Sequence, residues 1–258
     1  MKFVVPLFVV ALLSLESCRE EIIKIEEPQV LLERIEEKNF VEEFKYNDKN
    51  QITQVKRTTT FVDGNVTVTE YNYAYDNKGQ LTSCTTNFGV TYVYNYENNL
   101  IRNTQTFEEG KLTLTYEFTY DAQNRMISNV MSIHKDTGKE VEGKTTYRYD
   151  EDGNILEVKN YDFVNSEQQL ISTFNYSDYD NKKGMGALGH QVLNPFHKGS
   201  INNPGKIEML NAQNTPFVTE AFNYTYNDLG YVQSMVTKTT FYHGDSGSHT
   251  TQFFFKVL

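Results

Sequence analysis

Seven segments of this chain repeat one pattern: an aromatic residue, any residue, a second aromatic, a short polar run and then, in all but one, an apolar residue. They run Phe44 to Ile52, Tyr73 to Leu81, Tyr94 to Leu100, Phe118 to Met126, Tyr147 to Ile155, Phe174 to Asp178 and Tyr224 to Val232. The second aromatics fall at 46, 75, 96, 120, 149, 176 and 226, so the spacings are 29, 21, 24, 29, 27 and 50. An insertion therefore separates the sixth unit from the seventh.

Each unit has the chemistry of a β-hairpin. Aromatics two positions apart point to one face of a strand. The Asp or Asn that follows can bond to the backbone two residues on. Gly79, Gly153, Gly230, Asn50 and Asn124 stand where a left-handed residue closes a type I turn with a G1 bulge. Second turns lie between the units, at Asp63-Gly64-Asn65, Phe88-Gly89, Glu109-Gly110, Thr137-Gly138, Asn165-Ser166 and Gly244 to Gly247. In one stretch Leu112, Leu114, Tyr116, Phe118 and Tyr120 alternate with Thr113, Thr115, Glu117 and Thr119, the pattern of antiparallel sheet with one face in a core and one in water. Val30 to Glu37 fits a short helix or a strand, and the strand continues the pattern better. Counting turn to turn predicts an all-β, strongly curved antiparallel meander of about sixteen strands.

The 35 aromatics (18 Tyr, 17 Phe, no Trp) belong to this architecture, since the paired positions alone account for 14 of them. Mean hydropathy is negative, so a polytopic helical membrane protein is excluded. A net charge of -10 argues against a protein that grips phosphate backbones, which takes clustered Lys and Arg. Two cysteines cannot make a disulfide scaffold.

At the N-terminus, Lys2 precedes the apolar stretch Phe3 to Leu13, interrupted only by Pro6. It is too short to span a bilayer and suits a secretory signal. Leu15-Glu16-Ser17-Cys18 then resembles the lipobox of bacterial lipoproteins, with Glu16 where that motif carries a small or apolar residue. The resemblance implies cleavage before Cys18 and acylation of its thiol and new amine. The acidic residues that follow, Glu20, Glu21, Glu26 and Glu27, resemble the surface-export signal of some Gram-negative lipoproteins, or act as a solvated tether. The expected organisation is a signal peptide over 1–17, a lipidated tether over 18–29, and one all-β domain over 30–258 with a loop insertion at 180–216. Cys84 is then the only other thiol, read as a small structural residue.

Tyr-x-Tyr-Asp-x-x-Gly-x-Leu, as at Tyr73 to Leu81, resembles the YD repeat of rearrangement-hotspot proteins without that repeat's flanking Gly and Arg. With the lipobox and the length, the chain is similar to a family of secreted gut-bacterial lipoproteins of unknown function with a porin-like fold. Asn194-Pro195-Phe196 resembles a segment of that family's long loop. The resemblance implies a fold, a porin-like or open barrel, and an outer-membrane location. It supplies no catalytic residue.

Other motifs carry little chemistry. Gly184 to Gly189 spells the dinucleotide fingerprint, but Pro195 follows too soon for the helix that would hold a pyrophosphate. Gly244-Asp245-Ser246-Gly247 resembles the nucleophile segment of chymotrypsin-like proteases, yet reads as a turn without its His and Asp. His243 and His249 flank that turn without a third ligand. Asp150, Asp152 and Asn154 lack the length and bidentate Glu of a calcium loop. No catalytic, cofactor or metal site is expected. The non-repetitive 180–216 loop, with His190, Phe196 and His197, is the expected ligand surface. The expected function is a non-catalytic cell-envelope lipoprotein, anchored through Cys18, that binds a glycan or a protein partner and no nucleic acid. The alternatives are a transmembrane β-barrel or an envelope hydrolase with its site in that loop.

Overall fold

The computed structural model describes residues 30–184 and 200–258. Among these residues the chain forms sixteen antiparallel strands closed into one barrel. They are β1 (Val30–Glu37), β2 (Phe40–Tyr46), β3 (Ile52–Thr60), β4 (Val66–Tyr75), β5 (Leu81–Thr86), β6 (Val90–Glu97), β7 (Leu100–Glu108) and β8 (Lys111–Tyr120). The second half comprises β9 (Met126–Lys135), β10 (Gly138–Tyr149), β11 (Ile155–Val164), β12 (Glu167–Ser177), β13 (Lys206–Asn211), β14 (Pro216–Tyr226), β15 (Val232–Phe241) and β16 (Ser246–Val257). Every strand pairs with its neighbours in chain order. β1 closes the ring against β16, from Val30 opposite Val257 to Glu36 opposite Gln252, so no strand presents a free edge. The meander expected from the repeats is thus a complete barrel, and Val30–Glu37 is a strand.

The repeat turns follow the predicted chemistry. Asn50, Gly79, Asn124, Gly153 and Gly230 all have φ between 59° and 92°. In the second unit Asp76 Oδ1 accepts the backbone N–H groups of Lys78 and Gln80, both at 2.8 Å. Asn47, Asp121 and Asn227 make the same pair of bonds in their own turns. The third unit differs: Asn98 and Asn99 are both left-handed, which makes a two-residue turn of the hairpin type. A turn of the repeat kind also closes β13 onto β14, where Asn211 Oδ1 accepts from Gln213 and Thr215 and Asn214 is left-handed. Aromatic pairs do not mark it, because β13 is six residues of Lys-Ile-Glu-Met-Leu-Asn.

The paired aromatics have a job beyond filling space. The register shifts at the second aromatic of six units, Tyr46, Tyr75, Tyr96, Tyr120, Tyr149 and Tyr226. Such bulges re-aim a side chain and increase strand twist. Four of these tyrosines donate their hydroxyl to a backbone carbonyl near the start of the strand before their own: Tyr46 to Leu32 (2.7 Å), Tyr75 to Ile52 (2.8 Å), Tyr120 to Ile101 (2.8 Å) and Tyr149 to Met126 (2.7 Å). In the sixth unit Tyr179, not Tyr176, makes this bond, to Ile155 at 2.5 Å. The repeat therefore ties several of its hairpins to the strand before them.

Removing one such bond has a readable effect. Tyr75→Phe should lower unfolding free energy by about 0.5–1.5 kcal/mol. Tyr71→Phe, whose hydroxyl makes no bond to a described residue, should change it by less than about 0.5 kcal/mol. Equal changes in chemical denaturation of the two variants would show that the tyrosine ties do not stabilise the ring.

The two faces of the barrel wall differ sharply. Val55, Phe118 and Val232 are fully buried on the inward face, along with Phe44, Tyr73, Cys84 and Phe253. The outward face carries short polar ladders in water: Gln54 Nε2 donates to Asn72 Oδ1 (3.0 Å), Asn95 Nδ2 to Asn103 Oδ1 (2.8 Å), and the Thr119 and Ser128 hydroxyls lie 2.6 Å apart. Lys139 and Glu117 pair across it at 3.0 Å. On β8 the alternation read from the sequence holds, with Leu114, Tyr116, Phe118 and Tyr120 inward. Thr115 faces outward yet is buried, because it sits opposite Ser132 with the His134 ring 2.8 Å from its hydroxyl.

Candidate functional site

The inward face of β8 divides the barrel interior. Phe118 forms a fully buried plug with Ile101 and Met126, and Tyr94, Tyr96, Tyr116 and Tyr120 pack around it. A larger apolar cluster, including Leu32, Phe44, Val55 and Phe253, fills the interior beside β1 to β5 and β15 to β16. Barrels of sixteen strands can enclose a water-filled channel. Here aromatic side chains occupy that space.

Two cavities flank the plug. One, of about 470 Å³, lies at the end that carries the repeat turns and is walled by Tyr96, Tyr120, Tyr149, Gln123, Arg125 and Ile201. The hydroxyls of Tyr120 and Tyr149 are already committed to carbonyls, so those rings are held in place with their faces available. Successive rings sit two strands apart, roughly 10 Å. Burial pushes the Tyr120 hydroxyl up to about 12 and raises those of Tyr96 and Tyr149 as well, so all three stay protonated donors at neutral pH. Arg125 is fixed by three contacts: Nε donates to Asp121 Oδ2 (2.7 Å), Nη1 donates to the Asp150 carbonyl (3.1 Å), and the guanidinium lies 4.9 Å from the Tyr149 ring centre. Burial raises the Asp121 carboxyl, but hydrogen bonds from Arg125 and Gln123 outweigh it and hold that carboxyl below its ordinary range.

The other cavity, of about 390 Å³, lies on the far side of the plug among Arg57, Tyr71, Tyr92, Tyr94 and Tyr116. Arg57 meets Glu42, whose side chain is 3% exposed, through Nη2 and Nε at 2.5 and 2.6 Å. Cys84 also lines this cavity. Burial pushes its thiol up to about 12, partly offset by a hydrogen bond with Tyr73, which fits an inert structural cysteine.

The residues named from the sequence for ligand contact, His190, Phe196 and His197, lie outside the described residues, as does Cys18. The insertion expected over 180–216 is shorter than predicted, since β13 and the turn after it occupy 206–215. Its two described feet are clamped to the repeat-turn end. Ser200 Oγ accepts the Ile155 N–H (3.0 Å), Asn154 Oδ1 accepts the Asn202 N–H (2.8 Å), and Gly184 N–H donates to the Ile201 carbonyl (2.6 Å). Asp180 accepts from the Asn203 and Lys182 backbones and from Tyr226. Those bonds hold its carboxyl below the usual range despite the burial that raises it. The insertion thus brings Ile201 to the wall of the 470 Å³ cavity, a placement that needs the barrel to be closed before it can be seen.

The remaining motifs are turn chemistry. Gly153 is left-handed, and Asp150 Oδ1 accepts the Asn154 N–H at 2.7 Å. Gly244 closes the β15–β16 turn with φ 100°. His249 sits opposite Thr237, 3.8 Å from Glu37, while His243 is in the turn, so the two imidazoles do not meet. Among the described residues no cluster of His, Cys, Asp or Glu could hold a metal.

Two solved structures match the closed ring. A porin-like protein from Bacteroides uniformis superposes with a TM-score of 0.60 at 13% identity, over 88% of this chain and 95% of that one. A porin-like protein from Bacteroides vulgatus superposes with a TM-score of 0.57 at 11% identity, over 87% and 98%. The chain has the porin-like fold. No family model matches it, and no curated protein does. At these identities the likeness concerns the path of the backbone alone, and the aromatic plug and the two cavities are features of this chain's own residues.

Proposed function

We propose that the chain is a non-catalytic lipoprotein of the cell envelope, anchored through Cys18, that binds a glycan at the repeat-turn end of its barrel. The carrying observation is the set of three tyrosine rings that line the 470 Å³ cavity, two of them, Tyr120 and Tyr149, locked by their own hydroxyls. Fixed aromatic faces are suited to the C–H faces of sugar rings, and a spacing of two strands lets one extended chain touch several of them. Glu151 and Asp152 also line this cavity, and Arg125 is already paired with Asp121, so the balance favours a neutral glycan over a polyanion. Val30 and Val257 lie at the same end of the barrel as the repeat turns. A fully extended stretch from Cys18 to Val30 reaches at most roughly 43 Å, which keeps the cavity close to the anchoring membrane.

The outward face supports a tethered barrel over a lipid-embedded one. Lys56, Lys144, Lys159 and Lys238 all project from it in mid-strand. Each would be unfavourable by about 2–4 kcal/mol at a bilayer midplane.

A panel of neutral hexasaccharides of xylose, glucose and mannose tests the reading, followed by calorimetry and, for the native chain, which has no tryptophan, by tyrosine fluorescence. At least one should saturate. Ile201→Trp, which fills the cavity wall, should weaken it tenfold or more with no loss of melting temperature, and His190→Ala with Phe196→Ala and His197→Ala should weaken it further. Saturation by none of the panel, or turnover abolished by one polar-to-Ala change, would contradict the proposal.

A further inference from the structure

We infer that the 390 Å³ cavity beyond the plug is a separate binding site for a small neutral polyhydroxylated molecule, of the size of a monosaccharide or disaccharide. The observation is a convergence of polar groups with no protein partner. The hydroxyls of Tyr71, Tyr92, Tyr94 and Tyr116 make no hydrogen bond to a described residue, and those of Thr104 and Thr106 make none either. All six line this one space. The contrast with Tyr120 and Tyr149 at the repeat-turn end is direct, because there the hydroxyl is consumed by a backbone carbonyl. Six hydroxyls that open onto one cavity without a protein partner leave their donors and acceptors available to a ligand or to ordered water.

The chemistry of the wall narrows the ligand. Hydroxyl groups both donate and accept, and a polyol answers them in kind. The tyrosine rings between the hydroxyls offer apolar faces to a sugar ring's C–H groups. Burial raises the Tyr92, Tyr94 and Tyr116 hydroxyls, so they stay protonated and neutral. Arg57 is the single cation of the wall, and Glu42 already neutralises it, so an added carboxylate or phosphate would find no free charge and a second carboxylate nearby. The volume lies at the low end of the range for small-molecule sites, which excludes a polymer. Phe118 and its neighbours separate this space from the repeat-turn cavity, so its occupancy is independent of the glycan proposed there.

Calorimetric titration of the full chain with glucose, galactose, xylose, N-acetylglucosamine and sucrose tests the inference. One or more should bind saturably at millimolar concentration or below. Tyr94→Phe and Thr104→Val, which remove one hydroxyl each and keep the shape, should weaken that sugar roughly three- to tenfold apiece while melting temperature holds. Leu114→Trp, which fills the space, should abolish it, and Ile201→Trp at the other cavity should leave it unchanged. Saturation by none of the five sugars, or affinity indifferent to all three lining variants, would overturn the inference and leave the cavity to water.

Discussion

Phe118→Ala is expected to lower unfolding free energy by about 3–5 kcal/mol and to join the two cavities. Phe118 is fully buried, stacks on Tyr116 with ring centres 6.4 Å apart, and packs with Ile101 and Met126. The usual relief after such a truncation is collapse of the neighbours into the gap. That relief is limited here, because Tyr120 is held by its hydroxyl bond to Ile101. Empty space on both sides adds to the surface left without contacts. A loss of that size is a large part of the roughly 5–15 kcal/mol that holds a typical domain together. Chemical denaturation should show a lower midpoint with an unchanged slope, and Phe118→Leu should lose only about 1.5 kcal/mol or less. A loss below about 1 kcal/mol for the alanine variant would mean that Phe118 does not divide the interior.

Much of the fold could be read from local chemistry, and the limits of that reading have physical causes. Turns were legible because left-handed backbone selects so few residues: Asn50, Gly79, Asn124, Gly153 and Gly230 all stand where the pattern places them. Strand alternation was legible on β8 because one face meets an apolar interior and the other meets water. The β13 strand was not, since a six-residue strand without an aromatic pair carries no signal above that of a loop. Closure depends on whether β1 reaches β16 in register, which no stretch of sequence encodes alone. The division of tyrosines into those tied to carbonyls and those left facing a cavity was hidden for a similar reason. Tyr75 is the second aromatic of its unit and Tyr94 the first of its own, and only the placement of the preceding strand shows that the second position is the one that meets a carbonyl. Ile201 was missed as a wall residue because it lies in the insertion, between segments that the sequence shows only as irregular.

This porin-like ring turns its aromatic face inward and its polar face to water. A membrane-spanning barrel has the reverse arrangement, an apolar band outside and a polar lumen. In this chain the interior holds Phe44, Val55, Phe118 and Phe253, and the exterior holds ladders such as Gln54 with Asn72 and Asn95 with Asn103. In the tethered arrangement proposed above, acyl chains on Cys18 attach the barrel to a bilayer at about 0.8 kcal/mol for each buried methylene. The most direct test is detergent phase partitioning of two forms, the acylated chain and a chain beginning at Arg19 that lacks Cys18. The acylated form should enter the detergent phase, and the form from Arg19 to Leu258 should remain folded and monodisperse in the aqueous phase. If the form without Cys18 stays in detergent, or precipitates when detergent is removed, the apolar face is on the outside and the account is wrong.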